Sequence, residues 1–386
     1  MKAMMKRTAA MTAALLLAAA GTLAFAEESA PSPTPGISET ASSALASPET
    51  AAPATGVTET AAPASAETDY LVAEEKTDAP VSAAPSAVPG EEAKVPVLPL
   101  PKAEGGRVVP IPVDQNSLKV AIAPREENYL YDGTNPDPTG YADPSITVNI
   151  GRGRIYDTGY VYARVKIADG SQLRTLMASP LNNKNTTYGY KLAERVKAVV
   201  AINGDFCGGE DVKKGAIMRQ GKMMRLKCDG QLDVLAIDRD GNLIILPKAQ
   251  NADVEALGDR LTNLFTFGPA LVIDGVPQYG RNRPNLAPNK PAQRMAICQT
   301  GQLEYLLITS EGPEDPGSVG LGIDQFVDLI MTFPGVRQAY NLDGGSSSTM
   351  VFRKEGNSWR KINAPQNPKS RELKDIIYFA TAYEAP

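Results

Sequence analysis

The alternation of apolar and polar residues predicts a β-rich domain in the C-terminal part of the chain. Apolar residues recur at every second position, or in short runs, in "ITVNIGRGRIYDTGYVYARVKI", "DVLAIDRDGNLIIL", "FGPALVIDGVPQ", "RMAICQT" and "EYLLITSEG". This spacing is typical of strands. The first segment predicts two strands around a Gly-rich turn, and the second predicts a hairpin closed at Asp240-Gly241.

Helical spacing occurs in two further segments. "YKLAERVKAVVAIN" predicts a short helix followed by a buried strand, residues 198–202. "GIDQFVDLIMTFP" predicts a helix that ends before Pro334-Gly335 and has four apolar residues on one face: Ile323, Phe326, Val327 and Ile330. Strands outnumber helices, and hairpins mix with helix-to-strand crossovers. We therefore expect an α+β or mixed α/β domain with a twisted, largely mixed β-sheet flanked by helices.

The N-terminal part of the chain has a different pattern. Residues 1–26 combine a basic start, an Ala/Leu run and the small-x-small sequence "AFA", which is typical of a secretory signal peptide. An uncleaved membrane anchor is the alternative, which the weakly hydrophobic Ala-rich run favours less.

The segment that follows reads as a spacer. Residues 27–106 are dominated by Ala, Pro, Ser, Thr and Glu, so we predict a disordered linker, with an O-glycosylated tether as the alternative. Residues 107–386 then form a single folded domain. We expect the protein to be secreted or associated with the cell envelope, with no stable membrane insertion after signal cleavage.

The composition excludes several kinds of chemistry. The 386 residues include no histidine, which excludes Ser-His-Asp and Cys-His catalysis and histidine-built zinc sites. A formal net charge of −5 without a long basic stripe argues against a nucleic acid partner. The three cysteines are either one Cys207–Cys228 disulfide plus the Cys298 thiol, or three buried thiols.

Three polar loops follow buried strands, where ligands commonly bind in sheet-based folds. They are "AINGDFCGGE", "ITSEGPEDPGSVG" and "NLDGGSSSTM". In the third loop, the paired glycines let backbone amides approach an anion, and the serine hydroxyls add donors. Asp343 beside these donors would stabilise a developing positive charge. Taken alone, this loop is equally consistent with an ordinary Asp-Gly turn.

The order of these motifs resembles that of the phosphodiester glycosidases. "INGDFC", "GPALVIDGVP", "QRMAICQT", "LLITSEG" and "AYNLDGGSSSTM" occur in the family's order, between about Ile146 and Tyr378. The resemblance implies hydrolysis of the bond between a sugar C1 and a phosphodiester oxygen, giving a free sugar and a phosphomonoester. A phosphate leaving group, with a second pKa of about 6, needs neutralising donors more than a strong acid. The oxocarbenium-like sugar needs a nearby carboxylate.

The resemblance also implies roles for individual residues. Asp343 would stabilise the transition state or act as nucleophile or base, and Glu311 is the second candidate carboxylate. Arg294 is expected to clamp the phosphate, because guanidinium binds phosphate bidentately. Asp205 stands where the family often has glycine, and is an extra acid, a metal ligand or a turn cap. The other expected substrate-binding residues are Asn203 (for the sugar), Gly204, Gly344, Gly345, Ser346, Ser347 and Arg371, the last of which alternatively braces the site.

Two weaker patterns leave alternatives open. Asp132, Asp137 and Asp143 lie in "YDGTNPDPTGYAD", a segment that reads as a solvated surface loop, with a calcium site as the alternative. Three tyrosines alternate along a predicted strand and either pack in the sheet or stack on sugar rings: Tyr156, Tyr160 and Tyr162. The expected hydrolysis requires no cofactor. A role for a divalent cation such as calcium is left open.

We expect an exported hydrolase of sugar-1-phosphodiesters, of the GlcNAc-1-phosphodiester type, that acts on a cell-surface or extracellular glycopolymer. One alternative is a non-catalytic glycan-binding or structural envelope protein with the same domain. Another is a phosphodiesterase that cuts the P–O bond. The sequence does not specify the sugar, the stereochemical outcome or the oligomeric state.

Overall fold

The computed structural model describes residues 98–113, 122–205, 213–281, 288–313, 315, 317–354, 358–364 and 371–386. These residues contain three α-helices: α1 (Gly189–Arg195), α2 (Asn251–Glu255) and α3 (Ile323–Met331). They also contain twenty-one strands: β1 (Arg107–Val108), β2 (Tyr129–Leu130), β3 (Gly140–Asp143), β4 (Ile146–Ile155), β5 (Thr158–Ile167), β6 (Leu173–Met177), β7 (Val200–Asn203), β8 (Gly215–Arg219), β9 (Lys222–Lys227), β10 (Val234–Asp238), β11 (Leu243–Leu246), β12 (Leu261–Phe265), β13 (Ala270–Ile273), β14 (Val276–Pro277), β15 (Met295–Gly301), β16 (Glu304–Ser310), β17 (Gln338–Leu342), β18 (Met350–Lys354), β19 (Ser358–Lys361), β20 (Asp375–Phe379) and β21 (Tyr383–Glu384).

The strands form three larger sheets and the short β1–β21 ladder. The central sheet has the order β14-β13-β17-β15-β16-β5-β4-β3-β2, the site sheet β19-β18-β7-β20-β6, and the third sheet β11-β10-β12-β8-β9. The strand pairings given above are antiparallel, for example β7 with β18 and with β20. The β-rich part of the expected fold class is therefore confirmed, whereas the flanking helices are few and short.

The main hydrophobic core joins the three sheets. Each strand alternates its side chains between the two faces of its sheet. In β7, Val200 and Ile202 enter this core, whereas Ala201 points to the opposite face, where α1 packs. The predicted helical face of α3 covers the other side of the central sheet, with Phe326 fully buried. Both the hairpin at Asp240-Gly241 and the end of α3 before Pro334 are as predicted.

The turn between β4 and β5 differs from the prediction. It falls at Tyr156-Asp157, whose φ angles are 49° and 52°, and not at the glycines. Gly151 and Gly153 instead lie inside β4, opposite Tyr162 and Tyr160 on β5. The Tyr162 and Tyr160 rings pack against Phe333 with centroids 4.9 and 6.3 Å away, so the packing role is the observed one.

Residues before the expected boundary at Arg107 already contact the folded domain. The carbonyl of Leu98 accepts a hydrogen bond from Thr147 Oγ1 at 2.8 Å. Further along, the carbonyls of Ile111 and Pro112 accept hydrogen bonds from the buried Arg174 guanidinium. Residues 1–97, which include the expected signal peptide and most of the linker, lie outside the described residues. No helix among the described residues combines the length and apolarity needed to cross a membrane.

Replacing Phe326 by Ala tests whether α3 is held by its apolar face. We expect the free energy of unfolding to fall by about 3–5 kcal/mol, because the change leaves a cavity against the central sheet. Met331→Ala, at an exposed position of the same helix, should cost less than about 1 kcal/mol. Urea titrations of both variants measure the difference, and similar unfolding midpoints would contradict the prediction.

Candidate active site

The ends of four strands meet at one edge of the site sheet. β7 ends at Asn203, and its antiparallel neighbours begin there, because Ile202 pairs with Met350 of β18 and Asn203 with Ile376 of β20. β17 of the central sheet ends one residue before Asp343, whose backbone N–H donates to Gly204 O at 3.2 Å. Antiparallel pairing thus brings the two polar loops and the segment before β20 together.

A cavity of about 830 Å³ opens at this edge. Six of the predicted site residues line it: Asn203, Gly204, Asp205, Asp343, Ser347 and Arg371. The other charged residues of the lining are Lys184, Lys213, Arg225, Glu372, Lys374 and Asp375. This volume is ample for a sugar with its phosphate, since cavities that hold small molecules measure roughly 300–1,000 Å³.

The Asp343 carboxylate accepts hydrogen bonds from its own loop. The donors are the Ser347 side chain and the Gly344 backbone amide. Burial raises the pKa of Asp343 to about 6, although these hydrogen bonds and the charge of Arg371 oppose the rise. The carboxyl is therefore mostly ionised at neutral pH and becomes protonated in mild acid.

Asn203 and Gly204 hold the loops together at the cavity. Asn203 Oδ1 accepts from Thr349 N at 2.9 Å, and Nδ2 donates to Asp343 O at 2.7 Å. The Asn203 amide is thus engaged within the protein, in contrast to the expected sugar contact. A Cβ on Gly204 would lie 2.6 Å from Asp375 Oδ1, so only glycine lets the β7 loop cross this carboxylate.

Asp205 anchors its turn. Oδ1 accepts from Phe267 N at 2.9 Å, while Oδ2 accepts from Thr266 N at 3.0 Å and from Arg219 at 3.3 Å. Of the three roles considered from the sequence, the capping role matches these contacts, because both oxygens are already bonded. Its charge still acts at a distance and raises the pKa of Asp343.

Arg219 and Asp375 complete the site and were missed in the sequence. Arg219 Nε and Nη2 donate to Asp375 Oδ2 at 2.8 and 2.5 Å, and the guanidinium lies 3.9 Å from the Phe265 ring centroid. Burial raises the pKa of Asp375 to about 6, Arg219 opposes this, and Asp205 and Asp343 add to it. An acid directly before the buried strand "IIYFA" was an available signal for Asp375, but no local pattern marks Arg219.

The glycine-rich loop is not an open anion-binding nest. Gly345 N donates to Gln293 O at 2.9 Å, Ser347 N to Gly344 O at 3.2 Å, and Ser348 N to Gly345 O at 3.0 Å. These amides are therefore engaged within the protein. Gly344, Gly345 and Ser346 do not line the cavity described above, whereas Ser347 does.

Arg294 and Glu311 lie outside the cavity lining. Arg294 donates through its guanidinium to the carbonyls of Leu321 and Lys290, at 3.0 and 2.8 Å, so it supports backbone and is not placed as a phosphate clamp. Glu311 accepts from Ala364 N and Ser318 Oγ, both at 3.3 Å. Burial and Asp315 raise the pKa of Glu311, and Glu311 is not among the residues that line the cavity with Asp343.

The described residues bear on two expectations from the sequence, the calcium site and the disulfide. Among the described residues, no group of three or more Asp, Glu, Cys or His side chains is arranged to hold a metal ion. Asp143 is buried and accepts from Tyr141 Oη and Ser145 N, at 2.9 and 2.7 Å, rather than facing the surface loop. Cys228 and Cys298 are buried free thiols, and Cys207 lies outside the described residues.

Comparison with known proteins confirms the family resemblance. Residues 196–380 match the family model described as phosphodiester glycosidase, and this match indicates a hydrolase of phosphodiester sugar linkages. No curated protein matches the sequence significantly.

One solved structure has a similar fold. The catalytic domain of zebrafish N-acetylglucosamine-1-phosphodiester alpha-N-acetylglucosaminidase, auto-inhibited by its pro-peptide, is similar with 18% identity and a TM-score of 0.50, over 62% of this chain and 84% of that one. A hypothetical protein from Synechocystis is similar with 16% identity and a TM-score of 0.46, over 64% of each chain.

Replacing Arg219 by Met tests the buried ion pair. We expect the free energy of unfolding to fall by about 3–5 kcal/mol, because Asp205 and Asp375 would stay buried without their counter-charge. Arg239→Met, at an exposed position, should change it by less than about 0.5 kcal/mol. Equal urea midpoints for the two variants would show that the pair does not hold the sheets together.

The raised pKa values of Asp343 and Asp375 predict a pH-dependent stability. The folded state keeps protons on these carboxyls up to about pH 6, whereas the unfolded chain releases them near pH 4. Stability is therefore lost as pH rises from 4 to 6, and the penalty is fully present above pH 6.

Asp343→Asn removes one of these titrations. The difference in thermal midpoint, variant minus wild type, should therefore increase from pH 4 to pH 7. Circular dichroism at matched ionic strength measures both midpoints. A difference that stays constant with pH would contradict the assignment.

Proposed function

We propose that this phosphodiester glycosidase domain cleaves the C1–O bond of sugar-1-phosphodiesters, of the GlcNAc-1-phosphodiester type, and acts on a cell-surface or extracellular glycopolymer. The observation that carries the proposal is the position of Asp343, which lines the cavity together with Arg371. The preference for GlcNAc follows the motif resemblance and the substrate in the name of the zebrafish relative. Export follows the signal-peptide pattern of residues 1–26.

The charges of the cavity fit the two ends of the bond that breaks. As the C1–O bond lengthens, positive charge develops on the sugar ring, and an ionised Asp343 stabilises it. The electron pair of the bond passes to the phosphate oxygen, where Arg371 supplies positive charge. Water then provides the new C1–O bond, and its proton leaves to a base or to solvent. Because a phosphomonoester is a weak base, the absence of histidine is no obstacle.

Asp343→Asn tests this function with an α-GlcNAc-1-phosphodiester substrate. We expect wild type to release reducing sugar and phosphomonoester in equal amounts. The variant should lose at least about 100-fold in kcat, because an amide cannot stabilise the sugar cation or act as base. Glu311→Gln is the matched control and should keep kcat within about threefold, because Glu311 lies outside the cavity lining.

The products separate this function from its two alternatives. Cleavage of the P–O bond would release sugar phosphate and no free reducing sugar. The absence of turnover on several sugar phosphodiesters, with glycan binding retained, would favour the non-catalytic glycan-binding protein. Equal losses in Asp343→Asn and Glu311→Gln would contradict the role of Asp343.

A further inference from the structure

We propose that Lys374 is a positioning residue that shapes residues 179–186, the wall segment, into a side of the cavity that recognises the sugar of the substrate; this inference rests on the proposed function. The wall segment lies between β6 and α1. Five of its residues line the cavity together with Asp343: Leu181, Asn182, Asn183, Lys184 and Thr186. The sequence motifs pointed to none of them.

The wall segment is built around the ammonium group of Lys374. Lys374 Nζ donates to Ser179 Oγ at 2.5 Å, to Pro180 O at 2.9 Å and to Asn185 O at 3.4 Å. It also donates to the carbonyl of Asn183. Ser179 Oγ donates in turn to Asn185 O at 2.7 Å. Because the wall segment belongs to no strand or helix, these contacts with one side chain fix its path.

The residues around Lys374 attach the wall segment to the site sheet. Lys374 directly precedes β20. Thr187 N donates to Leu373 O at 3.0 Å, and Leu373 N donates to Thr187 O at 2.9 Å. Thr186 Oγ1 donates to Glu372 Oε2 at 2.7 Å. The position of the wall segment relative to the rest of the cavity therefore depends on the short stretch that contains Lys374.

The side chains that the wall segment presents suit a neutral ligand group. Leu181 is apolar, Asn182, Asn183 and Thr186 are polar and uncharged, and Lys184 is the charged member of this part of the lining. A side-chain amide both donates and accepts hydrogen bonds, as sugar hydroxyl and acetamido groups do, whereas an ionised phosphate only accepts. Lys184 is exposed, and its ammonium is strongly hydrated there. The wall segment thus matches the sugar better than the phosphate.

Asn182 is the amide of the wall segment that contacts the sugar. Asn203, which the family motifs suggested for this contact, hydrogen bonds within the protein. Asn183 Oδ1 accepts from Asn185 N at 2.8 Å, so the Asn183 amide helps to shape the segment. Asn182 lines the cavity from an exposed position of the same turn. An amide at this place can pair with a sugar hydroxyl, which favours a sugar that carries this group over one that lacks it.

The kinetic constants of Lys374→Met test the positioning role. We expect KM for the α-GlcNAc-1-phosphodiester to rise at least about tenfold, because the wall segment loses the contacts that fix its path. The value of kcat should stay within about threefold, because Asp343 keeps its hydrogen bonds within its own loop. Lys374→Arg retains the charge and several donors, so its KM should fall between those of wild type and Lys374→Met.

Lys354→Met is the matched control for Lys374→Met. Lys354 is a half-buried lysine of β18 in the same sheet, its Nζ lies 3.1 Å from Asp137 Oδ2, and it does not line the cavity. This control should leave KM within about twofold. Urea midpoints establish which variants fold. An unchanged KM in a folded Lys374→Met variant, or a loss confined to kcat, would overturn the positioning role.

Asn182→Ala tests the sugar contact at an exposed position, where folding is not at stake. We expect the inhibition constant of free GlcNAc to rise about threefold to tenfold, because one hydrogen bond is lost. The inhibition constant of inorganic phosphate should stay within about twofold. Asn185→Ala is the matched control, because Asn185 is exposed in the same segment but does not line the cavity. Equal rises for sugar and phosphate, or equal rises in the two variants, would overturn the assignment.

Calorimetry separates this inference from the proposed function. If wild type hydrolyses no phosphodiester, the proposed function fails, but titration with GlcNAc still reports whether the wall segment binds the sugar. Binding by wild type that is weakened in Asn182→Ala and in Lys374→Met, but not in Asn185→Ala, would support the inference alone. Binding of equal strength in wild type and Asn182→Ala, or no binding to either, would overturn it.

Discussion

The site depends on one buried guanidinium. Arg219 ends β8 of the third sheet and contacts carboxylates that belong to the site sheet and its loop, Asp375 and Asp205. Its remaining donors reach the carbonyls of Met218 and Leu264. Taking three charged groups out of water is costly, and the cost is offset only when nearly every donor and acceptor is satisfied. The two sheets are therefore held in one relative position where these contacts form.

The same ion pair sets the electrostatics beside Asp343. Two carboxylates share one guanidinium, so a negative charge is left close to the loop that carries Asp343. Burial, together with the charge of Asp205, explains why the pKa values of Asp343 and Asp375 both rise to about 6. Raised carboxyl pKa values mark sites where the protein gives up stability in exchange for reactivity. Here the Asp375 oxygen Oδ1 has no hydrogen-bond partner among the described residues.

The charged residues of the cavity lining come from separate parts of the fold. Asp343 lies at the loop between the central and site sheets, whereas Arg225 comes from the third sheet and Arg371 from the segment before β20. A chain with a net charge of −5 thus places two guanidinium groups in this lining.

Local sequence determined the elements and the loops that carry the site. Short-range periodicity is enough to predict α3, the hairpin at Asp240-Gly241 and the strand before Asn203, because each depends on neighbours within one or two turns. Polar residues directly after buried strands identified Asp343 and the loop that begins at Asn203. The resemblance to the family placed Glu311 and Arg294 in the site as well, but neither residue lines the cavity.

Only the tertiary structure decided which of these loops share a cavity. Arg219 and Asp375 are 156 positions apart in the chain, and Arg225 of β9 joins the cavity lining from a different sheet. Their roles follow from how three sheets pack, which depends on many long-range contacts at once. Sequence therefore determined which residues could do the chemistry, and sheet packing determined which of them meet. The local spacing of apolar residues does not specify which distant strands lie side by side.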